Sequence, residues 1–157
     1  TPSNGETAQP TPEPAGPITP ASIEVYNVGG TPDNPKRAGM ATDGDPGTEW
    51  RTDTYKQQFP ALKPGVGLIA SFAESVKFSS VVIDSPSPNT VIQIRTAPSG
   101  DPELEETKII GEATLQGGKT EIKLANAEPS QYLIVWITKL GDGNKSAIGD
   151  LQFIRAR

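Results

Sequence analysis

The chain has 157 residues, 16 Gly, 16 Pro, a formal net charge of −5, and neither His nor Cys. Without those two residue types it contains no Ser-His-Asp or Cys-His nucleophile, no zinc site of imidazole or thiolate, and no disulfide framework. The acidic balance disfavours nucleic acid and anionic membranes as partners, and no apolar run reaches the roughly 20 residues of a membrane span.

Residues 1–20, TPSNGETAQPTPEPAGPITP, form their own compositional zone, with Pro2, Pro10, Pro12, Pro14, Pro17 and Pro20, no aromatic residue, and Ile18 as the sole large aliphatic. Such a segment buries too little apolar surface to offset its ordering entropy. It is expected to be a disordered Pro/Thr-rich linker, partly polyproline II. The chain opens at Thr1 without a signal-peptide pattern and is expected to be a piece of something longer.

Residues 21–157 carry the material for one folded domain. SIEVYNV (22–28) reads as the first strand. Val66, Leu68, Ala70 and Phe72 alternate with Gly67, Ile69 and Ser71, the period of a strand with one face on a core. VKFSSVVID (76–84) is rich in β-branched residues, and TVIQIRT (90–96) alternates again. The Ser85-Pro86-Ser87-Pro88-Asn89 run between them is turn chemistry. Pro102–Lys108 has room for one helical turn, and Gly117-Gly118 between TKIIGEATL and KTEIKL predicts a hairpin. QYLIVWIT (131–138) is apolar almost throughout, as for a strand covered on both faces. A turn at Gly141-Asp142-Gly143-Asn144 precedes a last strand within 148–155. Short strands with regular turn signals predict an all-β protein, an antiparallel β-sandwich.

The segment Ala41–Tyr55, ATDGDPGTEWRTDTY, carries the most chemistry. Asp43, Asp45, Thr48, Glu49 and Asp53 lie close together on a Gly/Pro-punctuated loop. Oxygen ligands at that density suit a hard cation such as Ca²⁺, although the spacing is not that of an EF-hand. The same residues also suit a turn whose Asp side chains cap the backbone. Trp50 reads as a core anchor rather than a sugar-stacking platform. Strand alternation from Trp50 would put Arg51, Asp53 and Tyr55 on the opposite face, which makes them the candidate ligand-binding residues. The acidic run Asp101–Glu106 reads as a solvated loop. Many carboxylates are present, but nothing selects the pair that glycoside hydrolysis requires, so no catalytic residues are expected.

At A-T-D-G-D-P-G-T-E-W (41–50) the sequence resembles the discoidin, or coagulation factor 5/8 type C, module, a galactose-binding-like jelly roll. The resemblance implies a Ca²⁺ held by Asp43, Asp45 and Thr48. It adds Asp150 from A-I-G-D-L-Q-F (147–153), one methylene shorter than the carboxylate of the family's last strand. It also implies a Trp50 packed in the core.

A second resemblance runs through D-G-D-P-G-T-E-W-R-T-D-T-Y (43–55), K-P-G-V-G-L (63–68), V-I-D-S-P-S (82–87), IQIR and L-I-V-W-I-T-K-L (133–140). These segments are similar to the extracytoplasmic C-terminal domain of actinobacterial MviN/MurJ-type lipid II flippases. That likeness implies a non-catalytic recognition domain in the cell envelope, tethered by residues 1–20 to a membrane-spanning parent. Its partner would be a cell-wall glycan, a lipid-linked precursor or an envelope protein. The alternative in the same fold is a carbohydrate-binding module of a secreted glycoside hydrolase, which also uses Pro/Thr-rich linkers.

Overall fold

The alternating apolar positions become the strands of two stacked sheets. The computed structural model describes residues 14–27, 33–42, 48–52, 54–57, 65–100, 102–124 and 129–156. In chain order the strands are β1 (Pro14–Ile18), β2 (Ser22–Asn27), β3 (Trp50–Arg51), β4 (Val66–Val76), β5 (Phe78–Ser85), β6 (Val91–Ala97), β7 (Lys108–Thr114), β8 (Gly118–Lys123), β9 (Ser130–Lys139), β10 (Ala147–Ile148) and β11 (Asp150–Ala156). A 3-10 helix covers Pro35–Ala41, and a 3-10 turn covers Leu104–Glu106. One sheet has the order β1-β11-β5-β8, the other β2-β4-β9-β6-β7, and β3 pairs with β10. Every pairing is antiparallel. The protein is the all-β antiparallel sandwich that its periodicity predicts.

The period of two decides which side chains meet between the sheets. Val66, Leu68, Ala70 and Phe72 of β4 and Leu133, Val135 and Ile137 of β9 face Val81 and Ile83 of β5 and Phe153 of β11, all buried in one cluster. Phe72 sits 5.0 Å from Phe78 and 5.3 Å from Phe153, the latter edge-on, the geometry that aromatic quadrupoles favour. The intervening residues of β4 and β9 form a second cluster on the outer face: Ile69, Ile134 and Trp136 with Tyr26. Tyr26 meets Trp136 edge-on at 5.5 Å and donates its hydroxyl to the Pro102 carbonyl at 2.8 Å. This explains the unbroken apolar run of β9, which is covered on both sides. At the margin of that face, burial lowers the Arg95 pKa against the opposing influence of Tyr26.

Four sequence expectations change. Gly117-Gly118 is not a hairpin. β7 pairs with β6 in one sheet and β8 pairs with β5 in the other. The two glycines, at φ 81° and 123°, carry the chain across the sandwich. A Cβ at Gly111 of β7 would lie 2.8 Å from Leu124 at the end of β8, so the two edges stack across layers instead of pairing within one. The expected linker 1–20 overlaps β1, since Pro17 stands opposite Ile154 and Ile18 opposite Phe153. Proline is tolerated there because β1 is an edge strand, whose outward N–H positions need no ladder partner. Residues 1–13 lie outside the described residues. The single strand expected within 148–155 divides at Gly149, whose N–H donates to the Asp84 carbonyl at 2.8 Å, leaving β10 and β11 on different partners. The 3-10 helix at 35–41 has no counterpart in the sequence reading, although Pro35 starts it and Ala38 and Ala41 pack into the core.

The acidic run behaves as expected over its described part. Glu103, Glu105 and Glu106 are exposed, and Glu106 folds back to accept from the Glu103 N–H at 2.9 Å.

Candidate functional site

The ends of β2, β5, β7 and β9 and the starts of β4, β6, β8 and β11 all lie at one end of the sandwich, as the pairs Asn27–Val66, Ser85–Gly118, Val91–Lys139 and Asp84–Asp150 require. The connections there gather into a cleft of about 300 Å³. One wall carries Glu49, Arg51, Thr52 and Thr54, a second carries Pro86 and Ser87, and a third carries Lys145, Ser146 and Ala147. Its volume is at the small end of the range for ligand pockets. A short ionic contact spans the first wall, Arg51 Nε to Glu49 Oε2 at 3.6 Å.

A buried hydroxyl network fixes the three walls to one another. Thr52 N–H donates to the Ser146 carbonyl at 2.8 Å, and Ser146 N–H donates back to Thr52 Oγ1 at 3.0 Å. Ser146 Oγ accepts from the Gly141 N–H at 2.9 Å and lies 2.7 Å from Thr90 Oγ1. Ser87 Oγ accepts from the Ala147 N–H at 3.0 Å, and Ser85 Oγ donates to the Ala147 carbonyl at 2.5 Å. Thr52, Ser85, Thr90 and Ser146 are all buried. Buried hydroxyls are costly unless paired, so this set specifies one loop arrangement instead of a family of them. A Cβ on Gly141 would stand 2.8 Å from both the Pro88 carbonyl and Thr90 Oγ1, so the turn closes only with glycine there.

The first wall is fixed from behind. Trp50 is fully buried, and its indole N–H donates to the Asp33 carbonyl at 2.9 Å. Asn34 Nδ2 donates to the Arg51 carbonyl at 2.6 Å, and Arg37 Nε to the Glu49 carbonyl at 3.2 Å. Backbone on both sides of Trp50 is therefore tied to the segment that opens the 3-10 helix. Arg51 is left with its backbone held and its side chain out.

The predicted binding residues separate. Arg51 is exposed and lines the cleft. Asp53 lies outside the described residues. Tyr55 does not share the Arg51 face: its ring packs against the core and its hydroxyl donates to Asp33 Oδ2 at 2.6 Å. Alternation from Trp50 fails because β3 ends at Arg51, and from there the chain follows Ser146 and Asn144, with Tyr55 N–H donating to the Asn144 carbonyl at 2.9 Å. Trp50 is the core anchor expected of it.

Of the predicted metal ligands, Asp43 and Asp45 lie outside the described residues. Thr48 and Asp150 are both half-buried. Asp150, at the start of β11, lines a second hollow of about 290 Å³ with Thr42, the described residue that leads into the acidic loop. Oxygen-only donors suit a hard cation, and among the described residues no group of three or more carboxylates is placed to hold one.

No protein-family model matches the chain. Solved structures do match it. The chitosan-binding module 1 of a chitosanase/glucanase from Paenibacillus sp. IK-5 aligns with a TM-score of 0.65 at 16% identity, over 86% of this chain and 95% of that one. The family 32 carbohydrate-binding module of C. perfringens NanJ, solved in complex with galactose, gives 0.60 at 16% identity, over 85% and 92%. The chain shares the antiparallel β-sandwich fold of these two modules. A family 89 glycoside hydrolase from Clostridium perfringens aligns at 0.63 and 14% identity, over 91% of this chain and 15% of its own length.

Sequence reasoning missed Lys145, Ser87 and the hydroxyl network. Ser85–Asn89 and Gly141–Asn144 read as turn chemistry, which they are. The further signal was the small hydroxyl residues in the first turn and just after the second, Ser85, Ser87 and Ser146, which become meaningful once topology brings both turns to the same end.

Proposed function

We propose that this domain is a non-catalytic carbohydrate-recognition module that takes its glycan in the cleft formed by Arg51, Ser87 and Lys145. The observation that carries this reading is the cleft itself: a concave, polar site of about 300 Å³ whose walls are locked by buried hydrogen bonds. Recognition without chemistry needs such preorganisation, since ordering loops at the moment of binding costs affinity. The fold, shared with a chitosan-binding module and a galactose-bound module, supports the same reading.

The parent of such a module would be a secreted or envelope protein, and the domain would work outside the cytoplasm. Of the two parents considered, a glycoside hydrolase gains support from the structural relatives, while a lipid II flippase rests on the sequence motifs alone. Under either parent the partner is a glycan, a cell-wall polymer or precursor in the flippase case. A Ca²⁺ held by Asp43, Asp45, Thr48 and Asp150 would brace the acidic loop.

Affinity electrophoresis through gels containing soluble polysaccharides, with sedimentation against insoluble peptidoglycan and chitin, tests the reading. Retardation or co-sedimentation by at least one polymer is expected. Unchanged migration and full recovery in the supernatant across the panel, with and without Ca²⁺, would contradict it.

A further inference from the structure

We propose that the cleft selects sugars that bear a carboxylate, through the guanidinium of Arg51 and the ammonium of Lys145. This rests on the carbohydrate-binding reading and narrows it to a ligand class. The chain as a whole is acidic, with a net charge of −5. The described lining of the cleft runs against that balance, with two cations, Arg51 and Lys145, and one anion, Glu49.

The partners of these groups sharpen the contrast. Glu49 Oε2 approaches Arg51 Nε at 3.6 Å, beyond hydrogen-bond length. The Arg51 side chain is exposed and lines the cleft. A guanidinium edge matches a carboxylate with two parallel N–H···O bonds. Lys145 stands on the neighbouring segment, exposed, in a loop whose next residue, Ser146, is bonded to Thr52 and pinned by the hydroxyl network. The Arg51 backbone is equally pinned, through its carbonyl to Asn34. Two cations on braced, neighbouring segments therefore line one polar cavity. The hydroxyl and N–H groups of a neutral sugar need no such pair, whereas an anionic substituent in the cavity would be met by both.

The carboxylate could belong to a uronic acid or to the lactyl group of a muramic acid, and the test separates the two. Isothermal titration at low salt would compare four ligands: an oligogalacturonate, the matching neutral galacto-oligosaccharide, a peptide-free muramic-acid saccharide with its lactyl carboxylate free, and the same saccharide with that carboxylate amidated. The acidic member of at least one pair is expected to bind about tenfold more tightly than its neutral counterpart, the order of one charge-assisted contact. The pair that shows the preference names the source. Arg51→Gln and Lys145→Gln should each erase the preference while leaving the melting temperature unchanged, because both side chains lie at the surface. Raising the salt to about 0.5 M should weaken the acidic ligand selectively. Equal or tighter binding of the neutral members, or a preference that survives both substitutions, would overturn the proposal while leaving the carbohydrate-binding reading intact. Failure of all four ligands to bind, with no other glycan retained in the electrophoretic panel, would overturn both.

Discussion

The Tyr55 hydroxyl ends on Oδ2 of Asp33 at 2.6 Å, and Asp33 is fully buried. The backbone carbonyl of Asp33 meanwhile receives the Trp50 indole N–H. One residue thus fixes two aromatic side chains that flank the exposed Arg51. Tyr55→Phe removes a bond to a carboxylate and is expected to cost about 1.5–3 kcal/mol, read as a lower urea midpoint at unchanged slope. Glycan affinity should stay within about twofold, since the ring faces the core. A large affinity loss at intact stability would return Tyr55 to the binding surface.

Ser146 is the hub of the cleft walls. Ser146→Ala strands the Gly141 N–H and removes the partner of Thr90 in a buried setting, an expected cost of about 1–3 kcal/mol. The loss should appear in the melting temperature and also as weaker glycan binding, because Lys145 loses its brace. Lys145→Gln should do the reverse, changing binding and sparing stability. If the two variants gave the same pattern, the separation of frame from contact would be wrong.

Two glycines provide an internal control on the packing. A Cβ at Gly67 in β4 would overlap the Val135 carbonyl in the neighbouring β9, so Gly67→Ala must force two central strands apart. It is expected to cost about 3 kcal/mol or more. Gly39, in the 3-10 helix, has nothing within 4 Å of its Cβ position and no positive φ. Gly39→Ala is expected to be neutral or to stabilise by up to about 1 kcal/mol. Parallel denaturation curves check both.

The acidic loop gives a thermal prediction. If Ca²⁺ binds the folded state alone, a hundredfold excess over its dissociation constant adds about 2.7 kcal/mol, a rise of several degrees for a domain of this size. Asp150→Asn should abolish most of the rise. An unchanged melting temperature in EDTA and in excess Ca²⁺ would remove the ion and leave the loop as a hydrogen-bonded turn.

The sandwich was legible in the sequence because burial imposes a period of two, which β4 and β6 display, and because the unbroken apolar run of β9 marks a strand covered on both faces. Trp50 was legible as core for a related reason: its size is affordable only where it is covered. Gly117-Gly118 misled because turn residues report positive φ and not which sheet the next strand joins. β1 was hidden by its own prolines, which an edge strand accepts. Tyr55 was misplaced because alternation was extended past Arg51, where pairing stops and the chain begins to follow Ser146. The face argument holds for the two residues of β3, which puts Trp50 inside and Arg51 outside. Lys145 and Ser87 could not be found that way, since their proximity to Arg51 is a product of topology.

The most direct measurement is a ¹⁵N–¹H correlation spectrum recorded through a titration with the best-retained glycan. Saturable shifts are predicted at Arg51, Thr52, Thr54, Ser87, Lys145, Ser146 and Ala147, with the outer face around Trp136 unmoved. Shifts centred on Tyr26, Trp136 and Arg95, or no shifts at millimolar ligand, would contradict the account.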